Sequence, residues 1–319
     1  MQAAFLDLDS LNPLDLDLTP LQRLNLDWRF YDHTGLGQII EHAVNATIII
    51  TNKIPIDRSA LKHLPALRLI SVAATGTNNV DLVAASDQGI VVSNARNYAT
   101  ASVAEHVFAM LLTLYRQLGS YRQRVAAGDW MRSPHFCLFD NTIEELHGKI
   151  LGIVGYGTLG RAVAQRARAF GMQVMIAQRL YGEPVSGRIP LDDLLGSCDI
   201  LSLHCPLSAQ TRGLIGEPQL KAMKPGSVLV NTARGGIVDE TALIKALQDG
   251  WIAGAAVDVL AEEPPDASNP LLQMQAPGLV LTPHIAWASR PARQQLLTEI
   301  ATNIEAFLEG TPRNQVNVI

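Results

Sequence analysis

Short, solid apolar runs alternate with stretches of helical period along this chain, first over residues 3–93 and again, more strongly, from residue 149. Runs at 3–8, 47–51, 67–72 and 90–93 read as strands, with helical stretches such as 37–44 and 59–63 between them. Unbroken apolar runs, rather than strict alternation, mark strands covered by helices on both faces. The second series predicts strands at 149–154, 173–177, 199–204, 227–231, 253–257 and 279–282. Helices are expected from Gly160 to a stop at Gly171 and at 191–195, 217–223 and 240–247. The fold class is α/β, with two lobes, each a doubly wound parallel sheet.

Three segments stand outside this rhythm. The stretch 101–118 predicts a long helix with two apolar faces, one of Ala104, Phe108, Leu111 and Tyr115, the other of Val103, Val107, Met110 and Leu114. A helix apolar on two faces is buried on both, which sets it between domains, between subunits, or both. Residues 122–146 have weak periodicity and carry Trp130, Pro134, Phe136 and Phe139, the pattern of an extended loop that packs on something. A last helix at 291–308 shows Leu297, Ile300, Ile304 and Phe307 on one face and follows the second series, so the chain end is expected to return to the first lobe. The expected domains are 1–99 with 286–319, and 100–285.

Composition narrows the class. The 319 residues suffice for two cores, and 48% hydrophobic against 17% charged residues describes a packed globular protein. A net charge of −5 argues against a nucleic-acid partner, whose footprint is a basic excess. The three cysteines, Cys137, Cys198 and Cys205, form no C-x-x-C pair, which fits a reducing compartment. The acidic start lacks the basic region of a secretory signal. No apolar run reaches the roughly 20 residues that span a bilayer; the nearest, 103–118, is interrupted by Glu105, His106, Arg116 and Gln117. A cytoplasmic, soluble protein with no membrane partner is expected, and no residue cluster calls for a metal.

Gly155, Gly157 and Gly160 form a Gly-x-Gly-x-x-Gly loop between an expected strand and helix, the context a dinucleotide-binding turn requires. The first glycine permits the tight turn, the second lets the backbone approach a pyrophosphate, and the third lets helix and sheet pack closely. The phosphates would meet the helix N-terminus at Thr158, Leu159 and Gly160. The ribose selector is expected 23 residues after Gly155, where the chain has neutral Gln178 followed by Arg179. With no carboxylate to repel a 2′-phosphate and a cation to attract it, NAD(H) or NADP(H) is expected, leaning to NADP(H). Stacking of Arg179 on adenine is the alternative. Thr232, Ala233 and Asp258 fall at strand ends on the same edge. Asp258 is expected to face the nicotinamide ring or its carboxamide. For Thr211 and Thr232 a helix cap or turn competes with direct contact.

Arg234, Glu263 and His284 are the candidate catalytic set. Arg234 precedes Gly235 and Gly236, which allow a sharp turn, and would grip a carboxylate with two hydrogen bonds; a surface salt bridge is the bland alternative. His284 would exchange a proton with the substrate oxygen, and Glu263 would fix its tautomer. Glu262 is the neighbouring competitor for that role. His106, His147 and His204 lack such a setting and read as structural.

The glycine loop, 231–240, 258–264 and 282–284 together resemble the D-isomer-specific 2-hydroxyacid dehydrogenases, and the resemblance covers nearly the whole chain. It implies a Rossmann nucleotide domain inserted into a flavodoxin-like substrate domain, and substrate held in a cleft between lobes. It implies a homodimer, here through 101–146, and the roles given to Arg234, Glu263 and His284, with Pro264 deciding for Glu263 over Glu262. It sets Cys205, Pro206 and Thr211 against the cofactor. It makes 73–81 a carboxylate loop whose backbone N–H groups at Ala74, Thr75 and Gly76 face Arg234 across the substrate. The run 73–79 and Trp287 look most like the glycerate dehydrogenases, also called hydroxypyruvate (glyoxylate) reductases, which implies a small 2-ketoacid or D-2-hydroxyacid substrate. Formate dehydrogenases are similar but carry Gln where Glu263 stands. A non-catalytic dinucleotide sensor on the same fold is the alternative from another class.

Overall fold

The computed structural model describes residues 1–274 and 278–318. It separates into two compact units, 1–99 with 287–319, and 100–286. The boundary of the second unit thus runs one residue beyond the expected 285.

Unit 1 is a five-stranded parallel sheet of β1 (Gln2–Phe5), β2 (Asp27–Phe30), β3 (Ile48–Thr51), β4 (Leu69–Val72) and β5 (Val91–Asn94), in the order β2-β1-β3-β4-β5. This is the flavodoxin-like order. Strands β3, β4 and β5 are buried at every position, because helices cover both faces. Strand β2 is mostly exposed and forms the edge. Its Asp-Trp-Arg-Phe sequence has no solid apolar run, which is why periodicity did not predict it. The last helix, Arg290–Leu308, packs Leu296, Leu297, Ile300 and Ile304 against Phe5, Ile48, Ile50 and Leu69. The chain end then lies along β5, with a bridge from Gln315 to Ser93 and a hydrogen bond from Val316 to Val92.

Unit 2 is a six-stranded parallel sheet of β6 (Ile150–Val154), β7 (Gln173–Ile176), β8 (Ile200–Leu203), β9 (Val228–Asn231), β10 (Gly254–Val257) and β11 (Leu279–Leu281), ordered β11-β10-β9-β8-β6-β7. Beyond β7, Ile189 makes a single parallel bridge to Ala177 where a further strand would lie. Counting that bridge, the sheet has the Rossmann order, with its topological switch between β6 and β8.

The long helix runs Thr100–Tyr115, three residues shorter at its end than expected, because Gln117 turns left-handed at φ 54°. Both of its apolar faces, through residues such as Ala104, Phe108, Met110 and Leu114, enter one core cluster with Leu151, Ile153, Val163 and Ala256. Packing inside unit 2 thus takes up residues of both faces. The segment read as an extended loop begins as a second helix, Leu118–Ala126, none of whose residues is buried. Without a buried face it leaves no apolar period in the sequence.

Candidate active site

The strand order sets the carboxyl ends of β6, β8, β9, β10 and β11 along one edge of unit 2, and each carries part of the expected site. This is the edge where open α/β sheets bind ligands.

At the end of β6, Gly155 has φ +92°, and a Cβ there would sit 2.5 Å from the Cys205 nitrogen. A Cβ on Gly160 would overlap the Gly155 carbonyl oxygen. These two glycines are demanded by the fold. Gly157 is not, since a Cβ there meets nothing within 4 Å. It caps helix Thr158–Ala169 without a side chain, and the free N–H groups of the first turn open into that space. This cradle is of the kind that could take a pyrophosphate, with the amides of Thr158, Leu159 and Gly160 as the available donors.

The ribose position departs from expectation. The Gln178 amide donates to the carbonyls of Val185 and Arg188 at 3.0 and 3.2 Å, and its oxygen accepts from Val185 N at 3.0 Å. Gln178 therefore closes the 179–188 loop rather than offering itself to a ligand. Arg179 is exposed and, among the described residues, has no ion-pair or hydrogen-bond partner.

Thr211 is likewise turned inward. Its hydroxyl donates to the Pro206 carbonyl at 2.7 Å and accepts from Ser208 N at 2.7 Å, which is the turn alternative. Pro206 is exposed and Cys205 half-buried at the same strand end, where burial pushes the Cys205 thiol up. The Thr232 hydroxyl is shut off from solvent and has no partner among the described residues. His204 pairs Nε2 with the Ser202 hydroxyl at 2.8 Å, and burial pushes its pKa down to about 4.

At the end of β9, Asn231 shapes the turn. Its amide donates to the Arg234 carbonyl at 2.9 Å, and its oxygen accepts from Ala233 N at 3.1 Å. A Cβ on Gly235 would overlap the Leu260 carbonyl, so a side chain is excluded where the β9 and β10 loops touch. The half-buried Arg234 guanidinium donates to the Ala233 carbonyl at 2.7 Å, and among the described residues no carboxylate lies within ion-pair reach. The salt-bridge alternative thus has no acid to support it.

His284 follows β11 with φ 55°. Its Nδ1 lies 2.6 Å from Glu263 Oε2, while Oε1 of the same carboxylate accepts from Leu260 N at 2.9 Å. A carboxylate at Nδ1 keeps the proton on that nitrogen and leaves Nε2 to face a reactant. Among the described residues Nε2 has no partner, and the ring is about a quarter exposed.

Asp258 follows directly on β10. It is 1% exposed, and its Oδ1 accepts from the Thr282 hydroxyl at 2.6 Å and Ile285 N at 2.9 Å, while Oδ2 accepts from Ala286 N at 2.9 Å. Burial alone would raise its pKa, but bonds from His106, Thr282 and the two amides outweigh it and hold the carboxyl below the usual range. Asp258 organises the segment that carries His284. His106, read as structural, has its Nε2 3.0 Å from the Thr282 hydroxyl and 3.5 Å from Asp258. Only a polar residue within a helix of two apolar faces hinted at this in the sequence; its partner is 176 positions away.

In unit 1, the loop after β4 is strapped by its own side chains. The Thr75 hydroxyl donates to the Ala95 carbonyl at 2.8 Å, and the Asn94 amide donates to the Thr75 carbonyl at 2.7 Å. The N–H groups of Ala74, Thr75 and Gly76 have no partner among the described residues. Among the described residues, too, no His, Cys, Asp and Glu cluster could hold a metal, and no helix is long and apolar enough to cross a membrane.

Residues 108–286 match the model of the D-isomer specific 2-hydroxyacid dehydrogenase NAD binding domain. The chain is 43% identical over 318 residues to a glycerate dehydrogenase of Methylorubrum extorquens, covering 99% of this chain and 98% of that one. It is 38% identical to a hydroxypyruvate reductase of Blautia hydrogenotrophica, covering 99% and 100%. Its fold superposes with a TM-score of 0.88 on an acyclic imino acid reductase (Bsp5) in complex with NADPH and D-Arg, at 29% identity and with 99% and 100% covered. The chain belongs to the family of D-isomer-specific 2-hydroxyacid dehydrogenases, oxidoreductases that move a hydride between a nicotinamide dinucleotide and a 2-ketoacid.

Proposed function

We propose that the protein reduces a small 2-ketoacid, hydroxypyruvate or glyoxylate, to the D-2-hydroxyacid, with NADPH preferred over NADH. The observation that carries this is the His284–Glu263 pair at 2.6 Å on the strand edge that also holds an acid-free arginine and an open glycine loop. The substrate choice rests on the glycerate and hydroxypyruvate names of the full-length relatives.

The bound dinucleotide supplies the hydride. Arg234 binds the substrate carboxylate through its guanidinium fork and polarises the neighbouring carbonyl. In this reading the free N–H groups of Ala74, Thr75 and Gly76 are substrate-binding donors as well. His284 Nε2 delivers the proton to the carbonyl oxygen as negative charge grows there, and takes it back in the reverse direction. Glu263 keeps the ring in the tautomer that this transfer needs, and its second oxygen is tied to Leu260 N, so the acid is itself fixed. In this reading, the amides at 158–160, Thr232, Ala233, Cys205 and Pro206 line the dinucleotide. Exposed Arg179 meets the 2′-phosphate, and Gln178 acts only through the loop it closes. The three unpaired cysteines fit a reducing, cytoplasmic setting. The homodimer would form through the 101–146 region.

Initial rates of dinucleotide oxidation with hydroxypyruvate, glyoxylate and pyruvate test the proposal. Fast turnover of hydroxypyruvate with a higher kcat/KM for NADPH is expected. A much higher kcat/KM for NADH would remove the cofactor preference. No ketoacid turnover in protein that binds dinucleotide would favour the sensor instead.

A further inference from the structure

We infer that His106 is a positioning residue for the reaction, acting with Thr282 and Asp258 as a clamp that holds His284 in its left-handed backbone conformation. The inference rests on the assignment of His284 as the proton donor.

The clamp starts from a conformational cost. A non-glycine residue at φ 55° is disfavoured, and such a residue persists only where its surroundings over-determine it. Three sets of bonds meet that need. The His284 N–H is shared between the carbonyls of Asp258 and Thr282, at 2.8 and 3.0 Å. Downstream, both Asp258 carboxylate oxygens take the next two amides, Ile285 and Ala286, at 2.9 Å each. Upstream and downstream alike, helix Thr100–Tyr115 grips the segment with two side chains one turn apart. Ser102 donates to the Ala286 carbonyl at 2.7 Å, and His106 reaches Thr282 at 3.0 Å.

The proton inventory fixes the direction of these bonds. Thr282 has one hydroxyl proton, and the Asp258 carboxylate at 2.6 Å is a far better acceptor for it than the Met110 sulfur at 3.7 Å. The Thr282 oxygen must therefore accept from His106, which requires the proton on Nε2. That same N–H points within 3.5 Å of Asp258 Oδ1. His106 thus completes the donor set of a buried carboxylate that has no solvent to turn to. Remove it, and Thr282 can rotate its proton away, Asp258 loses a donor, and the amides at 285 and 286 lose a fixed anchor. His284 then wanders relative to Arg234, although no group touching the reactants has changed.

The test compares His106→Leu, which removes the donor, with His106→Gln, which can return an N–H at similar reach. Amide hydrogen exchange over 282–286 and kcat on hydroxypyruvate are read in the full-length protein, with the dissociation constant of NADPH as control. His106→Leu should speed exchange over 282–286 and lower kcat by about ten- to a hundredfold, with NADPH affinity within about twofold of the parent. His106→Gln should recover most of both losses. Should His106→Leu not fold, Thr282→Val removes the bridging hydroxyl at constant shape and should give the same two effects. Unchanged kcat in the Leu or Val variant, or a Gln variant as impaired as Leu, would overturn the clamp. If the parent protein turns over no ketoacid, it is the proposed reaction that fails. Exchange over 282–286 then judges the clamp alone: faster in the Leu variant supports it, unchanged overturns it.

Discussion

Histidines at three positions show how environment divides one side-chain type into separate tasks. His284 keeps one nitrogen on Glu263 and the other open. His106 is spent inside a hydrogen-bond network. His204 sits beside the glycine loop with its Nδ1 unpartnered among the described residues, and burial lowers its pKa to about 4 from an ordinary 6.5. Between those two values the unfolded chain binds a proton at this position and the folded chain does not, so folding stability falls as pH drops through that window. Replacing His204 with Gln should remove up to about 3 kcal/mol of this acid sensitivity, at 1.36 kcal/mol per pKa unit. Urea unfolding at pH 7 and pH 4.5 would show it as a smaller difference between the two pH values than in the parent; an identical difference would mean that His204 titrates normally.

The residue types of the triad were readable from sequence because each sits in a short local motif: Arg234 before two glycines, Glu263 before proline, His284 after proline. The roles of Asp258, Thr211 and Gln178 were not. Their side chains turn toward backbone groups of nearby loops, and a strand-end position does not tell which way a carboxylate or amide points. The Asp258 carboxylate satisfies amides at 285 and 286, and no spacing rule announces that.

At the scale of elements, the glycine loop separates demands of the fold from demands of the ligand. Gly157→Ala adds a methyl group to open space, so thermal stability should change little while the dinucleotide dissociation constant rises by about tenfold or more through lost backbone approach. Gly235→Ala places a methyl group on the Leu260 carbonyl, which is backbone and cannot swing aside. It should lower the melting temperature by several degrees, corresponding to about 1–3 kcal/mol of overpacking. Melting curves with and without NADPH distinguish the two. Equal destabilisation in both variants would contradict the division. Buried strands were readable as apolar runs, and Gly171, at φ +73°, does end its helix as expected. The exposed edge strand Asp27–Phe30 and the unburied helix Leu118–Ala126 were not, because elements that bury no face leave no periodic trace.

For the whole molecule, an unusual share of exposed large apolar residues falls in one segment of unit 2: Leu118, Val125, Trp130, Met131, Phe136 and Phe139, the last three 82–90% exposed. Apolar surface concentrated in this way is what a protein interface uses. If it is the subunit interface, light scattering should give twice the 34.5 kDa chain mass, and Phe136→Asp with Phe139→Asp should shift the protein to monomer. A monomeric parent would rule that surface out as a homodimer interface. The two-unit organisation followed from the twice-repeated βα rhythm, and the return of the chain end to unit 1 from the apolar face of helix Arg290–Leu308.

The most direct measurement is single-turnover reduction of hydroxypyruvate by parent protein and by His284→Ala, each preloaded with NADPH. Loss of the proton donor should slow the reaction by ~10²–10⁴ while NADPH binds as before. Near-normal reduction in the variant would show that the proton comes from elsewhere and that His284 and Glu263 are not the acid–base pair of this site.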